Sequence, residues 1–550
     1  MDFFRVGIDR VASWAERSSP PAPAHHGTLR PAQKTVQIQF PVKNTDQFAL
    51  DQPQPPMKRY ERHADAIAQL IHSGALRPGD RVPSVREASR TRGISPSTVF
   101  EAYYLLEAQG LIHARPRSGY YVSARLPATG SRPAEPLPSQ PAHTSTGVAI
   151  SDLVFEVLGL ARDRDLVPLG SAFPGLELFP LDRLARCLAS GMRKLDPWNI
   201  VQSLPPGDER LRQQIALRYG LHGSAVDVEE IVITNGAMEA LNLCLEAVTQ
   251  PGDIVVVESP TFYAALQALE RLNLQALEIA THPRDGIDLT ALAEALERQP
   301  AHQRVKACWL MPSFQNPLGS LMPEAKKREL VALLARHQVP LIEDDVYGEL
   351  HFAPHRPPPA KAFDTQGLVM HCSSFSKSLA PGYRVGWVAA GRFATAVQRL
   401  KLMTTLSAAT PSQQALSEYL AQGGYDRHLR QLRRSLAQQQ AIALAAVARH
   451  FPPGTRVSQP EGGYFLWVEL PPQVDALQLH RQALQRGISL APGQIFSADR
   501  RFAHCVRINY GHPAQEQFEA ALATVGRLAT ALAVDDSAGK QKQASKQMEP

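Results

Sequence analysis

The chain has 550 residues, of which 44% are apolar and 20% charged. That excludes a single small domain and a wholly disordered chain, and two or more globular domains are expected. Cys187, Cys244, Cys308, Cys372 and Cys505 lie far apart with no CxxC pair, so neither a zinc site nor a disulfide framework is signalled, and no apolar run is long enough to span a membrane.

The start, Met1-Asp2-Phe3-Phe4-Arg5, lacks a long apolar signal core, and a reduced, cytoplasmic protein is expected. The net charge of +6 is unevenly placed. Residues 58–125 carry 11 Lys and Arg against 6 Asp and Glu, so nearly the whole excess sits in one short segment. Such a surplus is the footprint of nucleic-acid binding, or else a plain solvated basic face.

Residues 1–57 lack regular pattern and become rich in Pro and Gln, which predicts a disordered extension. From Tyr60, Ala64, Ile67, Ala68, Leu70 and Ile71 recur at helical spacing until Gly74. After the turn Leu76-Arg77-Pro78-Gly79-Asp80, Ser84 caps a second helix, with Glu87 completing a capping box and Gly93 breaking it. Ser95-Pro96-Ser97-Thr98 opens a third helix whose inner face is Val99, Tyr103 and Leu106, and Gly110 stops it. Residues 111–122 read as two short strands about the basic turn Arg115-Pro116-Arg117. Three helices and a basic hairpin in this order predict a winged helix-turn-helix, residues 58–124. In it Ser84, Ser95, Ser97 and Thr98 offer hydroxyls near helix N-termini, while Arg86, Arg115 and Arg117 can pair with phosphates. A plain helical hairpin is the alternative.

Residues 125–147 contain five prolines and predict a flexible, semi-extended linker. Residues 148–534 alternate apolar strand-like runs, at 231–234, 254–258, 307–311, 341–343 and 369–372, with helical stretches. That rhythm predicts an α/β domain with a mostly parallel sheet, in which ligands sit at the carboxyl ends of the strands. Residues 535–550 are polar and predict a disordered tail.

Chemistry-bearing residues follow these strands. Gly236, Ala237 and Met238 form a glycine turn into a helix, where N–H groups can hold a phosphate. Phe262, after Ser259-Pro260-Thr261, either stacks on a flat ligand or packs in the core. Asn316 precedes a proline turn. Glu343-Asp344-Asp345-Val346-Tyr347 sets a carboxylate and a phenol at the sheet edge, unless the aspartates merely cap a helix. A buried carboxylate there needs a partner, such as a protonated ring nitrogen. In Ser373-Ser374-Phe375-Ser376-Lys377, a lysine sits among hydroxyls with Arg384 seven residues on. A desolvated lysine amine can form a Schiff base with a carbonyl cofactor.

Two resemblances rest on these residues. Arg77-Pro78-Gly79-Asp80-Arg81-Val82-Pro83-Ser84-Val85-Arg86, continued by Thr98-Val99, Ala102-Tyr103, Gly110-Leu111 and Ser118-Gly119-Tyr120, resembles the GntR-type signature over residues 58–123. The later motifs, in register over roughly 350 residues, resemble fold type I aminotransferases, a large domain with a smaller C-terminal α+β domain. The second resemblance implies pyridoxal 5'-phosphate (PLP) as cofactor, with Lys377 as its Schiff-base lysine and Asp344 on the pyridine nitrogen. It implies Asn316 and Tyr347 on the ring hydroxyl. Gly236, Ala237, Met238, Ser374, Ser376 and Arg384 would then hold the phosphate, and Arg507 would clamp a substrate carboxylate. Glu461-Gly462-Gly463-Tyr464-Phe465-Leu466-Trp467 looks like the opening of the small domain.

The combination resembles MocR-type transcription regulators over about residues 58–530. It implies a homodimer that binds double-stranded DNA and senses an amino compound at Lys377. A working aminotransferase with an attached DNA-binding domain, or a vitamin B6 sensor, are the alternatives. One departure stands out. The related enzymes often carry a tyrosine just before the Pro-x-Gly turn, reaching a neighbour's phosphate, but Val201-Gln202-Ser203-Leu204-Pro205-Pro206-Gly207 has no aromatic there.

Overall fold

A computed structural model of the protein describes residues 58–72, 75–108, 111–115, 118–123, 133–142, 144–159, 166–298, 305–512 and 515–547. The expectations for residues 1–57, for Gly74, Gly110 and Arg117, and for the first part of the linker lie outside the described residues.

The first described domain is built as its sequence pattern demands. Helix α1 (Arg59–His72) buries Ala64, Ile67 and Ile71, while Leu70 faces solvent, because it falls a quarter-turn off the buried stripe. Helix α2 (Val85–Arg92) starts in a complete capping box between Ser84 and Glu87 and ends on Gly93 in the left-handed conformation. Helix α3 (Pro96–Ala108) places Val99, Tyr103 and Leu106 at 0% exposure in the core. Strands β1 (Ile112–Arg115) and β2 (Gly119–Val122) pair antiparallel as the wing. These helices and the hairpin share one apolar cluster, so the winged helix has its own core.

Residues 133–142 do not swing free. Val457 N–H donates to the Ala134 carbonyl at 2.9 Å, Arg284 pairs with Glu135 at 2.6 Å, and Arg501 donates to the Gln140 carbonyl at 2.6 Å. Strand β3 (Thr146–Gly147) then adds to the edge of the large sheet. The flexible-linker expectation therefore fails for residues 133–142 and 144–147. An extended, proline-rich backbone keeps its carbonyls outward, and neighbouring arginines and edge N–H groups take them up.

The remaining strands of the large sheet are β4 (Ile231–Thr234), β5 (Ile254–Ser259), β6 (Gln275–His282), β7 (Gly286–Ile287), β8 (Val305–Leu310), β9 (Leu341–Asp344), β10 (Val369–Ser374) and β11 (Gly386–Ala389). Among the described residues they form a nine-stranded sheet ordered β3-β6-β5-β8-β9-β10-β11-β4, with β7 on β6. Pairings from β6 to β10 are parallel, and β11 runs antiparallel to both neighbours. Hence β4, β5, β8, β9 and β10 all end at the same edge. Strands β4, β5, β9 and β10 are buried at every position, their apolar starts giving way to buried polar residues at the carboxyl ends of β5, β9 and β10.

A second, antiparallel sheet has the order β12 (Arg456–Val457), β13 (Phe465–Glu469), β15 (Cys505–Asn509) and β14 (Ala491–Pro492). The closing helix Gln515–Gln547 runs through residues read as a disordered tail from Asp535. The segment is rich in Ala, Lys and Gln with no proline before Pro550, so nothing in it stops a helix. No helix among the described residues is long and apolar enough to cross a membrane.

Candidate functional site

The carboxyl ends of five strands converge on Lys377. Strand β10 leads into a tight loop in which Ser376 N–H donates to Ser374 Oγ at 3.4 Å. Lys377 Nζ donates to the Ala172 carbonyl at 2.7 Å and lies 3.8 Å from the centre of the Phe173 ring. Burial, then the Arg507 and Arg384 cations, push its ammonium down to about 7. Neighbouring Asp344 opposes that shift by favouring the charged amine. A lysine held this way is substantially neutral near neutral pH, as a nucleophilic amine must be.

Asp344 closes β9 at 1% exposure, and its Oδ1 is buried without a hydrogen-bond partner. Burial and the adjacent Asp345 push its carboxyl up to about 7. Asp345, the next residue, behaves oppositely. It pairs with Arg356 and accepts from His371 Nε2 at 3.0 Å, and despite burial the Arg356 cation and the His371 hydrogen bond hold it down to about 2. Both aspartates leave Oδ1 without a hydrogen-bond partner, and they differ in their second oxygen: Asp345 Oδ2 is taken by Arg356 and His371, whereas no arginine or histidine pairs with Asp344 among the described residues.

The glycine turn after β4 is a cradle. Gly236 has φ +84°, and a Cβ there would lie 2.4 Å from Arg384 Nη2. Arg384 also donates to Ser376 Oγ at 3.3 Å and to the Asn235 carbonyl at 3.2 Å. The helix α4 (Ala237–Val248) begins here, so the N–H groups of Ala237 and Met238 have no helical carbonyl to reach. Three groups from β4, β10 and β11's approach thereby concentrate donors at one helix N-terminus, which suits a phosphate.

Arg507, on β15, is at 0% exposure. It donates to Asn316 Oδ1 at 3.0 Å and to the Gly170 and Ser171 carbonyls at 2.7 and 3.2 Å, while its Nε has no partner. Asn316 Nδ2 reaches the Tyr347 hydroxyl at 3.5 Å. The structure thus joins Arg507, Asn316 and Tyr347 into one connected group, residues far apart in sequence. Phe262 sits half-buried at the start of helix Tyr263–Arg271, its ring 4.9 Å from that of Tyr263.

Sequence reasoning missed the segment above Lys377. Ala172 takes the Tyr464 hydroxyl at 3.0 Å as well as the lysine, and Asn509 Nδ2 donates to the Ser171 and Phe173 carbonyls at 3.0 and 2.7 Å. Backbone carbonyls leave no mark in a sequence. Tyr464 and Asn509, however, belong to the motifs that opened the small domain and carried Arg507, so a signal was there.

In the winged helix Ser84, Arg86, Ser95, Ser97 and Arg115 are exposed and Thr98 is half-buried. Ser95 caps α3, taking Thr98 N–H at 3.1 Å, and its hydroxyl also meets those of Ser97 and Thr98 at 2.8 Å each. Ser84 is likewise held by its own cap, accepting from Glu87 N–H at 3.2 Å. Arg86 stands in solvent on the first turn of α2, and Arg115 lies over the Tyr121 ring at 4.4 Å.

The profile of the family described as Aminotransferase class I and II matches residues 192–525, and that of Bacterial regulatory proteins, gntR family, matches residues 59–122. Over 472 residues the chain is 48% identical to the HTH-type transcriptional regulator YdcR of Escherichia coli, covering 86% of this chain and 99% of that one. It is 31% identical over 368 residues to aromatic-amino-acid aminotransferase 1 of Thermococcus litoralis, covering 66% of this chain and 87% of that one. Among solved structures, the multiple substrate aminotransferase from Thermococcus profundus superposes with a TM-score of 0.65 at 28% identity, over 70% of this chain and 95% of that one.

Proposed function

We propose a role that starts from family: the chain belongs to the class I and II aminotransferases, joined to a gntR-family DNA-binding domain in the arrangement of MocR-type transcription regulators. That aminotransferase family uses PLP. The proposal is a DNA-binding transcription regulator, a cytoplasmic homodimer, whose large domain holds PLP and reads an amino compound at Lys377.

The observation that carries the reading is the pairing of two unusual groups in one buried site: an amine depressed to about 7 at Lys377 and a carboxylate oxygen without a partner at Asp344. The residues fit PLP. The Gly236 turn has φ +84°, which disfavours a side chain, and faces the Arg384 guanidinium, which suits the phosphate. Bound there, the cofactor supplies an aldehyde that condenses with amines and a ring that accepts electrons. Every other contribution belongs to the chain. Lys377 presents a neutral amine. Asp344 holds a proton on the ring nitrogen, and the ring's charge in turn satisfies its free oxygen. Asn316 and Tyr347 orient the ring hydroxyl, and Ser374, Ser376, Arg384 and the first N–H groups of α4 grip the phosphate. Phe262 covers the ring's face. Arg507, with Nε uncommitted, takes a substrate carboxylate.

DNA binding falls to Ser84, Arg86, Ser95, Ser97, Thr98 and Arg115, with Arg117 of the wing. Homodimer formation is supported by helix Pro197–Gln202, which exposes Trp198 at 72%, Ile200 at 56% and Val201 at 53%. A working aminotransferase is the second reading, favoured by the buried Arg507–Asn316–Tyr347 group. A spectral titration of the purified protein with amino acids separates the two. Loss of the bound cofactor's visible band with release of keto acid marks an enzyme, and a shifted band without release marks a sensor. A protein that takes up no PLP overturns both.

A further inference from the structure

Helix α3 is the second helix of the helix-turn-helix, the one that enters a major groove in domains of this kind. Its sequence, Pro96-Ser97-Thr98-Val99-Phe100-Glu101-Ala102-Tyr103-Tyr104-Leu105-Leu106-Glu107-Ala108, contains no lysine and no arginine. The neighbouring cations stand on α2, at Arg86, Arg90 and Arg92, and in the wing at Arg115. Guanine is most often read by a bidentate arginine or lysine. With neither on α3, the cations of α2 and the wing are left to hold phosphates, and α3 must read bases by other chemistry.

Val99, Ala102, Tyr103 and Leu106 take the inner face of α3 at 0% exposure. At about 100° per residue, that turns Ser97, Phe100, Glu101 and Tyr104 outward, and all four are exposed. A single exposed ring is ordinary on a protein surface. The Phe100 ring, 41% exposed, is set apart by how it is held. It stacks on Tyr104, with 6.0 Å between centres and 28° between planes. Tyr104 is covered in turn by the Arg434 guanidinium, 4.8 Å from its ring centre, and Arg434 meets Glu107 at 3.5 Å. This stack closes the later half of the outer face and leaves Phe100 as its open end, one turn from the start of the helix. A ring ordered beforehand loses little rotamer freedom on contact.

In the major groove the bases differ by their donors, their acceptors and one apolar group, the thymine 5-methyl. A phenylalanine ring has no donor or acceptor, so that methyl is the base edge that rewards it. We propose that Phe100 is a specificity-determining residue whose ring packs on the methyl of a thymine in the major groove. The inference rests on the DNA-binding reading and deepens it by naming the base read. The preferred duplex places an A·T pair opposite Phe100, and α3 contributes no arginine or lysine fork for a guanine. Glu101, the next residue, repels phosphate and favours only a base edge that offers an amino group.

The test uses the full chain. Selection from a randomised duplex library gives the preferred sequence, and each thymine in it is then replaced by uracil, which lacks only the methyl. At one such position uracil weakens binding about fourfold, the scale of one methyl group taken out of water. Phe100→Ala removes this difference between thymine and uracil, and Phe100→Leu keeps most of it. Neither changes the salt slope, because no charge is lost. Phe100→Arg selects guanine at the same position, a switch that a merely structural ring would not give. Melting temperatures check that the variants fold. If Phe100→Ala does not, Phe100→Arg decides alone, and an unchanged selected base overturns the inference. Uracil tolerated at every position, or a thymine preference undiminished in Phe100→Ala, overturns it too and leaves the DNA-binding reading standing. A full chain that enriches no sequence and binds no duplex at low salt overturns both.

Discussion

Lys377 and Arg86 carry the same formal charge, yet the protein surrounds them oppositely. Lys377 is sunk under Phe173 among Asp344, Arg384 and Arg507, and its proton is held loosely, near pH 7. Arg86 stands in solvent, where a charge is cheap and salt screens it. Burial converts a cation into a reagent, whereas exposure keeps it available for a polyanion. The large domain is thus built to change the chemistry of its side chains, and the winged helix to present side chains unaltered. Substitutions test this contrast best in order of effect.

The largest effect is expected at Lys377. Lys377→Ala removes the amine placed among these donors, so covalent attachment of PLP should be lost completely. Borohydride reduction followed by mass spectrometry reads it, and a reducible label persisting on the variant would refute the assignment.

Asp344→Asn comes next. An amide cannot hold a ring nitrogen protonated as a carboxylate does, so reaction with an amino compound should slow by about a hundredfold or more. Stopped-flow absorbance measures it. An unchanged rate and spectrum would transfer the role to Asp345, against the ion pair that already occupies that residue.

A third expectation concerns pH. Only the neutral amine attacks an aldehyde. With the ammonium lowered to about 7, the rate of PLP uptake should climb about tenfold per unit while the amine is still protonated, then level off above about 7. An ordinary lysine would keep climbing toward pH 10. A rate still rising between pH 8 and 10 would mean that Lys377 is not desolvated as the buried site implies.

The same contrast explains what the sequence disclosed. The winged helix was legible almost to the residue, because its signals are local: a capping box at Ser84 and Glu87, a left-handed stop at Gly93, and three core residues at helical spacing in α3. The candidate cofactor residues stood out as a series because most of them follow a strand, and parallel strands end on one edge. What joins that series did not. The Ala172 carbonyl above Lys377, the Arg507–Asn316 bond and the Arg434–Glu107 pair link residues separated by about two hundred positions or more, and no periodicity encodes such a meeting. The linker failed for the same reason. Residues 133–142 look mobile by composition and are stitched down by Arg284, Arg501 and Val457, all distant in sequence.

The smallest effects are expected on DNA, where no burial amplifies a contact. Ser97 and Thr98 open α3, where base edges of a major groove come within reach, and the loss of a base contact costs about 1–3 kcal/mol at one position of the site. Ser97→Ala and Thr98→Ala should therefore change which duplex is preferred while leaving the helix intact. Ser95 is different. Its hydroxyl caps α3, so Ser95→Ala should cost about 1 kcal/mol of stability and weaken every sequence together. Arg86→Ala, on the solvent side of α2, should lower affinity uniformly and reduce the log–log salt slope by about 0.9, the signature of one lost phosphate contact. Anisotropy titrations of two duplexes at several salt concentrations distinguish all three outcomes. If Arg86→Ala altered sequence preference instead of salt slope, α2 rather than α3 would be reading the bases, and the assignment of the recognition helix would have to be exchanged.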